Sequence, residues 1–316
     1  MTERLAFVVM FTVMATFVVG LSVLAAKTDA RTVPGRRVAD GLHTKTAQQG
    51  DKHPGKSAKL AGGTPSARPS KALNARLTTA LRAALGARAA RLSVGVIDTS
   101  TGAEALYGAT DQYHAGGIAR VDILAALLRQ QQQAGTHLSK KDARLAAEMI
   151  RSGSGADATR LWQAIGRGAG LAAANRALGL RHTVPGAADE WGLTKTTVTD
   201  QLRLLTDLTD LTGPAAARSP LDSAGSDYEL ALMDNVAPTW RWGVPAAASP
   251  GASYAVNNGW LANPRRFVVN SIGVIDRAGH ELLVVVLSRN WPTEAAGIAE
   301  VQAAADAAVG ALLTPA

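Results

Sequence analysis

The sequence predicts a mixed α/β (α+β) domain in which strands from both ends of the chain form one antiparallel sheet. Two strand pairs, residues 91–109 and 265–290, each surround a short polar turn, TSTG and DRAGH. Between the two pairs, apolar residues recur at helical spacing. We therefore expect a sheet, a helical lobe built from the middle of the chain, and a cleft between them.

The first 27 residues are predicted to be a signal peptide or an uncleaved membrane anchor. Residues 5–26 are apolar and carry no charge, and a run of about 20 such residues can cross a bilayer. Basic residues follow this run closely, whereas only Arg4 precedes it. That charge distribution opposes the usual bias for export.

Residues 28–72 are predicted to be a disordered basic linker, followed by the folded domain at residues 73–316. The linker is rich in Gly, Pro, Ser and Thr and has almost no large apolar residue with which to form a core. Residues 27–71 contain ten basic and three acidic residues, which is most of the net charge of +8. The linker is therefore either a solubilising spacer or an attachment to an anionic envelope surface. The nearly neutral remainder argues against nucleic-acid binding.

Composition and spacing also limit the chemistry. The chain has no cysteine, which excludes disulfides, thiol catalysis and cysteine-ligated zinc. Its six histidines are scattered, and we find no His or carboxylate pair at metal-ligand spacing. No glycine-rich phosphate loop is present. We therefore expect no metal ion and no other cofactor.

The helices are predicted from apolar periodicity. An amphipathic helix at residues 72–90 precedes the first strand pair. The helices of the lobe and the final helix are predicted at residues 121–134, 140–150, 156–165, 169–178, 198–211, 228–236 and 293–313.

Several short stretches together resemble a known family. They are VGVIDTSTG, YHAGGIARVDILAALL, AAEMIRSGSGADATRLWQAIG, WGLTKTTVTDQLRLL, YAVNNGWL and VVNSIGVI. Their order resembles that of the serine β-lactamase and penicillin-binding protein superfamily, particularly class A-like serine hydrolases. The resemblance covers residues 73–316. It implies a β-lactamase/transpeptidase-like fold in an extracytoplasmic protein, membrane-anchored or secreted.

The same resemblance locates a nucleophile position that has lost its side chain. In that superfamily the central helix opens with Ser-x-x-Lys, the serine being the nucleophile. Gly117 and Arg120 stand at the matching positions. Glycine cannot attack a carbonyl, and arginine keeps its proton at physiological pH and cannot act as a base.

Two further motifs of the superfamily are altered as well. The Ser-Asp-Asn and Lys-Thr-Gly-like triplets fall on Gly153, Ser154 and Gly155, and on Asn257, Asn258 and Gly259. The loop HTVPGAADEWGLT resembles the loop that holds a glutamate base in class A enzymes. Glu190 lies in it at a spacing that does not match, so that role is not assigned to Glu190.

Loss of all three motifs predicts a catalytically silent domain with a binding or regulatory role at the cell envelope. Two alternatives stay open. One is a serine hydrolase with relocated catalytic residues, for which Ser154 is the remaining hydroxyl in the second motif. The other is a structural envelope protein that binds through its basic linker.

Arg120 has two interpretations. In the first, it pairs with an acid such as Asp122 or caps a carbonyl. In the second, it forms a cationic cleft that binds a carboxylate. With Asn257, Asn258 and Gly259 it forms the predicted ligand-binding set, for a peptidoglycan-like or other carboxylate-bearing ligand. The tryptophans of PTWRWGVP either stack on a ligand ring or fill the core beside the sheet.

Overall fold

The structure is a computed structural model that describes residues 68–209, 220–263 and 266–314. The predicted signal peptide or anchor and nearly all of the predicted linker lie outside the described residues. Within them the chain folds into one sheet of six strands, a two-stranded ladder and eight α-helices.

The strands of the main sheet come from both ends of the described chain, as predicted. Their order in the sheet is β1-β3-β2-β8-β7-β6. All neighbours are antiparallel except the two-residue β1, which pairs parallel with β3. The strands of the sheet and the small ladder β4–β5 are β1 Arg68–Pro69, β2 Leu92–Asp98, β3 Ala103–Tyr107, β4 Tyr113–His114, β5 Lys195–Thr196, β6 Tyr254–Asn263, β7 Arg266–Arg277 and β8 His280–Ser288.

The helices follow the predicted order. They are α1 Lys71–Leu85, α2 Ala119–Gln133, α3 Lys140–Arg151, α4 Gly155–Ala164, α5 Arg167–Leu178, α6 Val198–Thr209, α7 Ser223–Asp234 and α8 Glu294–Leu313.

Two helix boundaries differ clearly from the prediction, for local reasons. The helix α7 begins five residues earlier than the predicted residue 228, because Asp222 caps it by accepting a hydrogen bond from the backbone N–H of Gly225 at 2.8 Å. The helix α1 ends at Leu85 instead of residue 90, because Gly86 has a φ of +57° and the chain continues as a 3₁₀ turn.

The sheet has a hydrophobic core on each face. Alternate residues of β8 between Leu282 and Leu287 point to opposite faces, and all of them are buried. One set packs with the helices of the lobe, α2 to α7, and the other packs with α1 and α8. The continuous apolar sequence of β8 follows from this double burial.

The helix α8 is the one described helix that is long and apolar enough to cross a membrane by length and composition. It packs against α1 and against the sheet, with eight of its residues buried there. Its apolar character is that of a core helix.

Asn270 joins the sheet to the segment that enters α2. Its Nδ2 donates to the carbonyl oxygens of His114 and Ala115, each at 2.9 Å, and its Oδ1 accepts from the backbone N–H of Ser288 at 2.8 Å. The side chain is fully buried, and every one of its bonds is made. Asn270 therefore sets the position of the start of α2 relative to β7 and β8.

We expect Asn270→Ala to lower the free energy of unfolding by at least about 2 kcal/mol, because it leaves buried backbone groups without partners. Denaturant unfolding followed by circular dichroism measures this. Asn235→Ala is the matched control, since its exposed amide bonds only within its own helix end, to the Ala231 carbonyl at 2.8 Å. Equal losses for the two variants would contradict the role given to Asn270.

Candidate functional site

The predicted nucleophile position lies in a tight turn between the helical lobe and the sheet. Gly116–Ile118 forms a 3₁₀ turn that leads directly into α2 without a side-chain cap. Gly116 has a φ of +55°, and a Cβ there would lie 3.2 Å from the carbonyl carbon of Trp260 on β6. The unusual pair of glycines thus reflects a turn that passes close to the edge strand of the sheet.

The backbones of Gly117 and Gly259 touch each other. A Cβ on Gly259 would lie 2.3 Å from the backbone nitrogen of Gly117, and a Cβ on Gly117 would lie 2.7 Å from the Cα of Gly259. Real Cβ atoms do not approach other atoms so closely. The space that a side chain at position 117 would need is therefore occupied by β6.

Arg120 fills the remaining space beside this contact. Its Nη1 donates to the carbonyl of Gly153 at 2.7 Å and its Nη2 donates to the carbonyl of Asn258 at 2.5 Å. A Cβ on Gly117 would lie 2.6 Å from Nη2. The guanidinium thus bridges the lobe and the sheet by capping carbonyls, one of the two interpretations of the sequence.

Arg120 is a buried cation without a carboxylate partner among the described residues. Its exposed fraction is 3%, and its Nε has no hydrogen-bond partner. Burial lowers the pKa of Arg120 to about 10, which still leaves the side chain protonated at neutral pH. Asp122, suggested as its partner from the sequence, accepts instead from Nε2 of Gln201. Two carbonyls and an aromatic ring stabilise the charge in place of an acid.

That aromatic ring belongs to Trp240, which covers the guanidinium. The Cζ atom of Arg120 lies 4.9 Å from the ring centroid, and the indole Nε1 donates to the carbonyl of Ser152 at 3.0 Å. Gly153 lies under the ring with a φ of +70°, and a Cβ on it would be 2.2 Å from Cζ2 of the indole. We call the stacked side chains of Arg120 and Trp240 the Arg–Trp plug.

Asn258 fixes the loop that contains Trp240 of the Arg–Trp plug. Its Nδ2 donates to the carbonyls of Trp240 and Trp242, both at 2.7 Å, while its own backbone carbonyl accepts from Arg120. Asn258 is 2% exposed and Asn257 is 1% exposed, and the side-chain oxygen of each lacks a partner. Of the predicted ligand-binding set, Arg120, Asn258 and Gly259 therefore meet in one buried cluster, with Asn257 next to them on β6.

Ser154 acts as a helix cap. Its Oγ accepts from the backbone N–H of Asp157 at 3.2 Å and donates to the Asp157 carboxylate at 2.6 Å, at the start of α4. This hydrogen bond, with the nearby Arg160, holds the pKa of Asp157 below its usual value, so that carboxylate is a weak base. Gly155 begins the helix beside open space, the nearest atom to an added Cβ being Cζ2 of Trp191 at 3.9 Å.

The remaining site residues are placed as follows. Glu190 is exposed, and its backbone carbonyl accepts from the N–H of Leu193 at 2.9 Å. No group of three His, Cys, Asp or Glu residues in the described part of the chain could hold a metal ion. The sequence did not reveal the contact between Trp240 and Gly153, because nothing in a single chain marks two distant residues as neighbours.

We expect Gly117→Ser to lower the free energy of unfolding by about 1–3 kcal/mol, because the new side chain must displace the Arg120 guanidinium and the β6 backbone. Gly155→Ser is the matched control and should change it by less than about 0.5 kcal/mol. Combining Gly117→Ser with Arg120→Lys should recover part of the loss, with a coupling of about 0.5 kcal/mol or more. Denaturant unfolding of the unaltered protein, Gly117→Ser, Arg120→Lys and the double variant completes the cycle, and strict additivity would refute the steric argument.

Comparisons with known proteins reveal likeness at the level of structure. No protein-family model and no curated protein matches the sequence. Among solved structures, PBP-A is similar, with 16% identity and a TM-score of 0.65, over 79% of this chain and 98% of that chain. A PBP-A mutant solved as an acyl-enzyme complex with penicillin G gives 16% identity and a TM-score of 0.63, over 78% and 98%.

A class A β-lactamase from Mycobacterium abscessus is also similar. It has 19% identity and a TM-score of 0.60, over 74% of this chain and 97% of that chain. At such identities the likeness establishes the fold and leaves the activity open. The chain therefore has the fold of the serine β-lactamase and penicillin-binding protein superfamily.

Proposed function

We propose that this chain is a catalytically silent domain of the β-lactamase fold that acts by binding or regulation at the cell envelope. The observation that carries the proposal is the Arg–Trp plug. It fills the place between α2, α4 and β6 where the resemblance puts the reactive serine and its partners.

Covalent catalysis at this place needs a nucleophile that can reach a substrate carbonyl. Gly117 offers no such group, and the backbone of Gly259 and the guanidinium of Arg120 leave no room for a side chain. The next hydroxyl in the three motifs is that of Ser154, which is engaged with Asp157 as a helix cap. The nucleophile has therefore no evident substitute in these motifs.

Catalysis of this kind also needs a base. A lysine can lose its proton when it is desolvated, but Arg120 keeps its proton, since its pKa stays near 10 despite burial. Its Nη1 and Nη2 are already bound to the carbonyls of Gly153 and Asn258. Arg120 therefore makes a structural contact and cannot serve as the base that accepts a proton.

Mass spectrometry of the intact protein after incubation with penicillin G tests the proposal directly. The PBP-A mutant that forms an acyl-enzyme with penicillin G is the positive control. We expect no mass adduct on this protein under conditions that acylate the control. A single adduct that maps to a serine would overturn the proposal and establish a hydrolase with relocated residues.

For the binding role, we propose a peptidoglycan-like or other carboxylate-bearing ligand. Arg120 is the cation that a carboxylate would meet if the ring of Trp240 moved aside, and Asn258 lies next to it. The basic linker at residues 28–72 adds attraction to an anionic envelope surface. This assignment goes with an extracytoplasmic location, membrane-anchored or secreted.

We expect Trp240→Ala to bind penicillin G, used as a carboxylate-bearing probe, at least about tenfold more tightly than the unaltered protein, since the guanidinium is then uncovered. Isothermal titration calorimetry measures this binding without requiring a reaction. Trp260→Ala is the matched control, because Trp260 is 42% exposed and stacks with Phe267, not with Arg120. If the unaltered protein and both variants bind penicillin G with equal affinity, Arg120 is not the residue that contacts the ligand.

A further inference from the structure

The helical lobe contains two completely buried carboxyl groups that the proposed function does not use. Asp122 on α2 is 1% exposed and Glu229 on α7 is 0% exposed. The two helices pack directly against each other. Within the described chain neither carboxyl takes part in an ion pair. Isolated carboxylates at such depth are costly, so something must reduce their charge.

Several buried polar atoms of Glu229 and of side chains near these carboxyl groups have no hydrogen-bond partner. Both carboxyl oxygens of Glu229 lack a hydrogen-bond partner, as do Oγ of Ser226, one turn earlier on α7, and Oε1 of Gln201 on α6. The carboxyl oxygens of Asp122 accept from Nε2 of Gln201, at 3.2 and 3.3 Å. A carboxyl group that carries its proton has no charge, so protonation lowers the cost of burying Glu229 without a partner.

The charges that face the cluster from neighbouring helices are also acidic. From α6, Asp200 is 3% exposed and accepts from the backbone N–H of His182 and from Oγ1 of Thr183. The strand β6 brings no charged side chain. The helices α3, α4 and α5 also pack against α2 or α7, but their basic side chains are exposed and form no described ion pair with either carboxyl; they are Lys140, Lys141, Arg144, Arg151, Arg160, Arg167 and Arg176. Burial raises the pKa of Asp122 to about 7, with a smaller contribution from Asp200. Burial and the charge of Asp122 raise the pKa of Glu229 well above its usual value.

The position of Glu229 connects the cluster to the Arg–Trp plug. The helix α7 ends at Asp234, and Trp240 follows six residues later in the chain. The connecting segment is tied to α3, since the backbone N–H of Ala237 donates to the carbonyl of Arg151 at 2.8 Å and Nε of Arg151 donates to the carbonyl of Asn235 at 3.0 Å. A short segment therefore joins α7 to the loop that covers Arg120, and α3 anchors that segment.

We propose that Asp122 and Glu229 form a pH-sensitive latch: α7 stays packed against α2 while both acids are neutral, and their ionisation loosens α7 and the Trp240 loop. The evidence for the latch is the buried cluster alone. Its effect on the Arg–Trp plug rests on the proposed function. A bound cation is the competing way to neutralise the pair. The geometry disfavours a cation at Asp122, because Gln201 turns its NH₂ group and not its oxygen toward that carboxyl. Burial raises the pKa of Asp122 by more than the same hydrogen bond lowers it.

The sign of the pH effect follows from proton binding. The folded protein binds protons at Asp122 and Glu229 more tightly than the unfolded chain does, where such groups have pKa values of about 4. Their contribution is fully present below about pH 4 and is lost as the pH rises through about 7 and above. For each group, the unfolding equilibrium constant rises by up to about tenfold per pH unit between its two pKa values.

Thermal unfolding of the whole protein between about pH 5 and pH 9 tests the latch. We expect the Tm of the unaltered protein to fall over this range. The Tm of Glu229→Gln and of Asp122→Asn should fall less, since each variant keeps only one of the two acids, and least in the double variant. Glu281→Gln is the matched control, since Glu281 is exposed at the start of β8, and its profile should follow the unaltered protein. A flat profile for the unaltered protein, or unchanged slopes in both variants, would overturn the latch.

Two further measurements separate the latch from its competitors. Hydrogen exchange, corrected for its intrinsic pH dependence, should show residues 223–241 losing protection at high pH in the unaltered protein and keeping it in Glu229→Gln. A pH-dependent Tm without that local loss would support the titration of the two acids but overturn their link to the Arg–Trp plug. The outcome of the penicillin G experiment does not depend on this result. If added Ca²⁺ stabilises the protein at about pH 8 and a chelator reverses the effect, a bound cation and not protons neutralises the pair. That result would overturn the latch.

Discussion

The contact between the Arg120 guanidinium and two backbone carbonyls is the interaction on which the rest of the site depends. It joins α2 to the loop before α4 through Gly153 and to the edge strand β6 through Asn258. Because the guanidinium sits there, Gly117 can carry no side chain, Gly153 must leave room for an indole, and Trp240 has a cation to cover. One arginine at one helical position thus constrains the side chains of its neighbours.

The sequence predicted most of the architecture, because the features that decide it are local or periodic. Two strand pairs around polar turns, at the two ends of the domain, were enough to predict the sheet, and the central helices followed from the spacing of apolar residues. The short strand β1 and the extent of α7 were missed. The first is only two residues long, and the second begins at a capping Asp222 that precedes the apolar part of the helix.

The sequence suggested residues for the candidate site, but it did not reveal how they are arranged. The residues Gly117 and Arg120 could be identified because their flanking apolar pattern is intact. The stacking of Trp240 on Arg120 joins residues that are far apart in the chain, so no spacing rule reveals it. The same holds for Asp122 and Glu229, because a buried acid and an exposed one look alike until the surrounding helices are placed.

The backbone contact between Gly117 and Gly259 has a consequence for how such a domain can change over time. A serine at position 117 is of no use while Arg120 and β6 occupy its space, and a lysine at position 120 gains nothing while position 117 has no hydroxyl. Each of the two changes alone is therefore neutral or harmful. A serine–lysine pair at these two positions can arise only if both residues change together.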